Sequence, residues 1–457
     1  MSLFTSLYNA RSGLHAAQAG IGATSHNVSN SLTPGYNRRN VQQSVNAPIR
    51  DGKVWIGTGT SVDAIARNAD SLLGMQQIAQ SGTASSANTL SSDLSAIEAW
   101  FDESSNAGPR LSLGAFFDAM TSATADPADP GLRSGVIYSG TAMAESISGT
   151  SRALQSALAT GESRVMAGIS DMNQQINEIA KLNLAIESGG GSLEMGDLAD
   201  RRDLAIRNIA ELAGVTANLQ PDGQATVFVG GHAVVNGSEG RMLTVDNSGP
   251  GIPRVRLEVD TGSVNVNNVL SGEIGGHLDA YNATSGYIDD LNTFTVDFAT
   301  AMNTQHAAGF DLNDTPGGDL FTFDPLDPAA TMSFSSAITE DSDLLAFAGA
   351  SPALAGDGDN LIALMDLEDQ LVVGGSRPGD FLSGLTSRVG SDVASADLVA
   401  SRQSQVVADL DELASNLSGV DMDEEAANLI TYQTAYQAAA KVMQVTDSML
   451  GILMDLA

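Results

Sequence analysis

Both ends of this 457-residue chain read as helices whose apolar faces must be covered, and that requirement shapes any fold it adopts. Near the start, Leu3, Leu7, Ala10, Leu14, Ala17, Ile21, Thr24 and Val28 recur at alternating four- and three-residue steps. Near the finish, Leu429, Tyr432, Tyr436, Ala439, Met443, Thr446, Leu450 and Leu453 recur at alternating three- and four-residue steps. Such spacing places each set on one side of a helix, as a seam for a second helix. A chain with two such ends either closes its fold by pairing them or assembles with other chains through them. The first seam favours assembly over a plain internal core. Gly13, Gly20 and Gly22 each cost about 0.5–1 kcal/mol relative to Ala, so the helix is marginal alone. Its alternation of Leu or Ile with Ala allows close approach but buries little area per residue.

Between the ends, periodicity divides the chain. Pro34 stops the first helix, and Thr33-Pro34-Gly35-Tyr36 has the residues of a type II turn, with Asn27, Asn30 and Asn37 around it. Val54–Ile56 is a strand candidate, and helical patterning then dominates from about Ser61 to Gly214, broken near Gly189. Alternation replaces it over 215–275: Val215–Leu219, a turn at Pro221-Asp222-Gly223, Ala225–Val229, Ala233–Val235, Arg241–Val245 and Arg254–Val259. Helix resumes through Ile288, Leu291, Phe298 and Met302. Residues 309–360 are rich in Gly, Asp and Pro, and a long helix then ends at Gly419. Ser2 is the expected N-cap of the first helix. Asp421 and Glu424 start the last one as an Asp variant of the capping box, with Asp423 and Glu425 adding negative charge at its positive end.

The expected fold is therefore mainly α with an inserted β domain. Terminal coiled-coil helices (1–40 with 420–457) enclose a helical bundle (41–214 with 277–308 and 360–419). A β-rich insert (215–276 with 309–359) occupies the middle of the chain. Aromatic residues are only 5% of the chain, which predicts cores built on aliphatic side chains and Ala.

Charge excludes several functions. The net charge of −34 repels phosphate backbones and anionic lipid, which argues against nucleic-acid or membrane binding. It is unevenly spread: residues 1–50 hold Arg11, Arg38, Arg39 and Arg50 and no acid, a local +4 that leaves −38 elsewhere. No cysteine is present, so disulfides, thiolate metal sites and Cys nucleophiles are excluded. No apolar run approaches the roughly 20 residues that span a bilayer. Asn9, Arg11, His15 and Gln18 interrupt any secretory signal, so the chain reads as cytoplasmic unless it is exported without a cleaved leader.

No catalytic constellation emerges. His15, His26, His232, His277 and His306 are isolated from one another and lack zinc-ligand spacing. Asp311–Asp314 and Gly356–Asn360 lack the register and terminal Glu of a calcium loop. The glycines at 189–191 lack the Lys-Ser/Thr of a phosphate loop. No catalytic, cofactor or metal site is expected, and the chain does not read as an enzyme.

Particular segments do carry a resemblance. The stretch Asn27, Asn30, Thr33, Pro34, Gly35, Tyr36 resembles a motif shared by rod, hook and hook-associated proteins of the bacterial flagellar axis. Residues 418–443, SGVDMDEEAANLITYQTAYQAAAKVM, resemble the ending of the hook-associated protein 1 family. Asp126–Pro130 and Met302–Gly309, leading to Asp319-Leu320-Phe321, resemble the same family, the latter segment setting it apart from hook and rod proteins. His26 and Leu32 depart from the family, which usually carries Asn or another small polar residue there.

This resemblance implies a structural adaptor joining the flagellar hook to the filament. It would be exported by the flagellar type III apparatus to the exterior and would assemble through its terminal helices. The implied partners are further copies of itself, hook protein, a second junction protein, and a cytoplasmic export chaperone on the C-terminal helix. The expected assembly interface is Leu3, Leu7, Leu14, Ile21 and Val28 against Leu429, Tyr432, Tyr436, Met443, Leu450 and Leu453. The rival readings are a hook or distal-rod protein and a secreted acidic hydrolase using an Asp pair.

Overall fold

A computed structural model describes residues 3–51, 53–101, 108–189, 192–220, 222–246, 251–259, 262–354 and 356–455. The expected cap at Ser2 and the first residue of the turn at Pro221 lie outside these residues. Helix α1 (Leu3–Asn30) leads into the antiparallel pair β1 (Arg39–Val45) and β4 (Thr60–Arg67), which carries a smaller hairpin of β2 (Ile49–Asp51) and β3 (Val54–Ile56). Three helices follow: α2 (Ser71–Glu98), α3 (Pro109–Ala123) and α4 (Pro130–Glu187). The last has 58 residues and is roughly 87 Å long by helical rise. Its start explains the Asp126–Pro130 segment. Asp129 accepts the N–H groups of Gly131 and Leu132, and Pro130 takes the first helical position, where no N–H is needed.

Helix α5 (Ser192–Ala213) turns back along α4 and ends at Gly214, whose φ is +61°. Beyond it β5 (Thr216–Leu219), β6 (Ala225–Val229), β7 (His232–Asn236) and β8 (Glu239–Gly240) form a four-stranded sheet in sequence order. A second sheet places β10 (Arg254–Val259) between β9 (Leu243–Asp246) and β11 (Gly262–Asn265). Helix α6 (Gly272–Ala308) returns to the bundle. After it come β12 (Phe321–Thr322), α7 (Pro328–Thr331), β13 (Ser333–Phe334), α8 (Ser336–Glu340) and α9 (Asp359–Met365). Two long helices, α10 (Pro378–Ser418) and α11 (Met422–Asp455), close the chain.

Two cores lie along α4. One gathers Val165, Ile169, Met172 and Ile176 of α4, Ile206 and Ile209 of α5, and the inward residues of both sheets. It is aliphatic, as expected. The other packs the first half of α4 with α2, α3, the second half of α6 and the start of α10. That core is aromatic: Phe294 stacks on Phe298 at 5.3 Å, and Phe321 meets Phe334 edge-on at 5.2 Å. Few aromatics overall means only that they are concentrated.

The aromatic core corrects one expected boundary. Residues 309–359 do not share the β domain of 215–276; Leu320, Phe321, Phe334, Ile338 and Phe347 fill the aromatic core instead. A second correction falls at residues 60–67, expected to be helical. They form β4 because Val62 and Ile65 pair with Gln43 and Val41 of β1, and that tertiary pairing decides the conformation.

One device recurs. Four helix-borne asparagines each accept the N–H of a distant residue and donate to its carbonyl. Asn27 holds Arg39, Asn173 holds Leu243, Asn183 holds Ala225 and Asn303 holds Phe321, all at 2.7–3.0 Å. Each fixes a strand against its helix and satisfies both backbone groups. His306 adds to the last clamp. Ala346 N–H donates to Nε2, so Nδ1 carries the proton and donates to Gly318 O at 2.7 Å. Burial holds this ring below its ordinary pKa and so neutral. The Met302–Gly309 segment is thus a brace for Asp319–Phe321.

Candidate assembly interface

The two terminal helices meet each other within the chain. A Cβ placed on Gly13 would lie 3.6 Å from Ala439 Cβ, and one placed on Gly20 would overlap the Tyr432 ring. Facing residues therefore have numbers summing to 452, an antiparallel register. Extended one heptad each way, it sets Ser6 opposite Thr446 and Asn27 opposite Glu425, and both C-terminal members are buried. The closest line of α1 is thus Ser6, Gly13, Gly20 and Asn27, small or compact residues at seven-residue spacing. Periodicity of apolar residues overlooks such a line. The available signal was the recurrence of Gly at 13 and 20.

The expected seam lies beside this line. Leu3, Leu7, Leu14, Ile21 and Val28 are half-buried along one flank of the contact, as are Leu429, Tyr432, Met443 and Leu450 of α11. Tyr436 and Leu453 are exposed. Helix α11 also turns a second apolar row outward: Ile430, Val442, Val445, Met449 and Ile452 are all exposed. The other side of α1 rests on the hairpin, where Asn9 donates to Gly57 O at 3.0 Å.

At the foot of the pair the chain turns sharply, and there the six motif residues meet. Gly35 has φ +76°, and Tyr36 N–H donates to Thr33 O at 3.2 Å, the contact that closes the turn. Thr33 and Pro34 are exposed. Asn30 donates to His26 O at 3.0 Å, and Tyr36 OH donates to Asn27 Oδ1 at 2.8 Å. His26 joins the network through Nδ1, 2.9 Å from the same phenol oxygen, and through Nε2, 3.3 Å from Asp197. Asn27, buried, links the turn to β1 through its clamp on Arg39.

Three arginines fasten this elbow. Arg38 reaches Glu424 and the buried Glu425 of α11, both at 2.7 Å. Glu424 therefore spends its carboxylate on Arg38, while Asp421 caps α11 through the N–H groups of Asp423 and Glu424. Arg39 bonds Asp197 and Asp200 of α5, and Arg67 bonds Asp200 and Asp203. The carboxylates stand three residues apart, on one side of α5. Burial opposes the charge on Arg39, but Asp200 and the hydrogen bonds to Asp200 and Asp197 outweigh it and hold the guanidinium above its ordinary pKa. The sequence marked the basic N-terminus without showing where its partners lie, because they are remote in the chain.

Among the described residues no group of three or more His, Cys, Asp or Glu side chains could hold a metal ion, and no helix is long and apolar enough to cross a membrane. The arrangement consists of a helix pair, a clamped elbow, and charged ties to a long bundle.

Comparison with known proteins agrees with this architecture. Residues 94–321 match the family described as flagellar hook-associated protein FlgK helical domain. Residues 405–456 match the flagellar basal body rod FlgEFG protein C-terminal family. Flagellar hook-associated protein 1 of Bacillus subtilis is 24% identical, the match covering 98% of this chain and 97% of that protein. Its Escherichia coli namesake is 24% identical over 98% and 99%, and that of Salmonella typhimurium 25% over 99% and 100%. The fold is similar to that of the flagellar hook junction protein FlgK from Burkholderia pseudomallei, with a TM-score of 0.67 at 14% identity, covering 75% of this chain and all of that one. Together the two matched segments, the full-length relatives and the shared fold establish that the chain belongs to the flagellar hook-associated protein 1 family.

Proposed function

We propose that this chain is the structural adaptor between the flagellar hook and filament, and that its α1–α11 pair is the part that enters the flagellar axis. The observation that carries the reading is the pair itself. Its two helices lean chiefly on each other, and α11 turns an apolar row away from α1. A row of that kind suits several neighbours packed around a common axis. The bundle and β domain, tied on through the arginine elbow, would face outward from the axis. Hook protein on one side, a second junction protein on the other and further copies around the ring are the partners this reading requires.

Export as an unfolded chain through the flagellar type III apparatus to the cell exterior belongs to the same proposal. It is supported by the lack of cysteine and by an acid-free N-terminal segment. A cytoplasmic chaperone would cover α11 before export, since Val442, Met449 and their neighbours would otherwise promote early association. Electron microscopy of cells lacking this chain tests the proposal. Hooks without filaments are expected. Filaments of normal length, or cells without hooks, would contradict it.

A further inference from the structure

The smaller hairpin exposes an apolar cluster that the helix pair leaves uncovered. Phe4 and Tyr8 of α1 and Ile49, Val54 and Trp55 of the hairpin are each at least 60% exposed. Phe4, Tyr8 and Ile49 line an open hollow of about 420 Å³. Arg11, Arg50 and Lys53 are exposed in the same part of the chain. A cationic, aromatic knob on a molecule of net charge −34 calls for an acidic, apolar counterpart.

The chain itself carries one. Beyond Ala400 no residue of α10 is buried, a run of 18 residues or roughly 27 Å. Val399, Val406 and Leu413 follow one another at seven-residue steps, are exposed, and are joined by exposed Leu417. Asp409 and Glu412 stand exposed toward the elbow end of this run, with Asp421 and Asp423 just past it, while the run's one base, Arg402, is exposed at the far end between Val399 and Val406. Helix α2 covers the opposite side, where Gln77 bonds Asp411 and Asn88 bonds Ser404, and its first turns share a hollow with Leu417 at the end of the run.

The two surfaces of one chain are held apart. Arg38 N–H donates to Ser418 O, which fixes the end of α10 to the elbow. Asn9 holds the hairpin 21 residues up α1 from Asn30, roughly 32 Å beyond that elbow. We infer that the Trp55 hairpin of one copy docks on the Val406–Leu417 side of α10 in a second copy of this chain. Different surfaces meet, so the contact is head-to-tail and continues from copy to copy as a ring or helix. Apolar burial supplies the attraction, and the opposite charges set register and exclude like-with-like contacts. The inference rests on the proposed axial assembly and says which surfaces join neighbouring copies within it.

The absence of cysteine permits a direct test. Host cells making both Lys53→Cys and Glu412→Cys chains, one thiol each, would yield flagella for treatment with a short bifunctional thiol reagent. The expected product has twice the mass of this chain, appears only when both variants are present, and falls at least tenfold when Arg50→Glu is added to the Lys53→Cys chain. A second pair, Pro48→Cys with Asp409→Cys, should behave alike. Flagella that contain the chain but give no product with either pair, or give Lys53→Cys chains joined to each other or to another protein, overturn the inference and leave the axial assembly standing. Absence of the chain from flagella overturns both.

Discussion

The Tyr432 ring occupies the space in which a side chain at Gly20 would begin: a Cβ built there lies 2.6 Å from Tyr432 Cγ. Glycine is therefore needed at this point of α1 for contact, and its cost to the helix is offset by the approach of α11. Gly22 has no atom within 4 Å of such a Cβ. Gly20→Ala should weaken the pair by about 1–2 kcal/mol after the gain in helix propensity, and Gly22→Ala should strengthen it by about 0.5–1 kcal/mol. Amide exchange over residues 5–28 is the measurement, with faster exchange in the first variant and slower in the second. Equal effects of the two would remove the close approach from the account.

Arg38 and Glu425 provide the second prediction. Glu425 is 1% exposed and meets Arg38 Nε at 2.7 Å. Arg38→Ala leaves a buried carboxylate without its cation and should cost about 3–5 kcal/mol in local stability. Changing both, as Arg38→Met with Glu425→Leu, should recover most of that loss. Protease cleavage at the elbow reads the difference, and a double variant as sensitive as Arg38→Ala would contradict it.

Tyr36 makes the elbow sensitive to alkali. Burial pushes its phenol up to about 12; Arg39 opposes the shift, and Asp197, Asp200 and Glu425 add to it. An unfolded phenol titrates near 10. Between those values the folded state holds more protons, so the stabilisation is complete below about pH 10 and is lost as pH rises toward 12. Tyr36→Phe has no such proton to lose. Its stability should decline less steeply over this window than that of the parent chain, and parallel curves would refute the assignment.

The terminal pair should be the least protected part of the free chain. It lies outside both cores, and most of α11 is exposed. Exchange across residues 5–28 and 430–455 is expected to be at least about 100-fold faster than around Phe298, a difference of about 2.7 kcal/mol. Incorporation into the flagellum should remove most of that difference. Protection equal to that of the aromatic core in the free chain would contradict it.

Much of this was legible because it is local. The terminal helices, the strands after Gly214 and the Asp421 cap each follow from spacing or side-chain type within a few residues. What escaped depends on distant partners. Residues 60–67 become a strand because β1 is beside them, and 309–359 leave the β domain because Phe321 packs against Phe116, Phe298 and Phe334 while Phe347 lies under the Arg133 guanidinium. The asparagine clamps could not be read, since nothing near Asn173 points to Leu243. At the interface the leucine seam was visible and its neighbour was not. Apolar periodicity gives weight to Leu14 and Ile21 and passes over Gly13 and Gly20, where the backbones come closest.

The central claim is that the two ends of one chain pair in this register inside the flagellum. Gly13 and Ala439 allow it to be measured, because their Cβ positions are 3.6 Å apart, within the span of a disulfide. With no other cysteine present, Gly13→Cys with Ala439→Cys can form only this bond within a chain. Flagella isolated from cells making the double variant, oxidised and run without reductant, should yield this chain as a monomer of altered mobility that reverts on reduction. Chains linked to one another through the same two cysteines, or thiols that stay free in assembled flagella, would contradict the account.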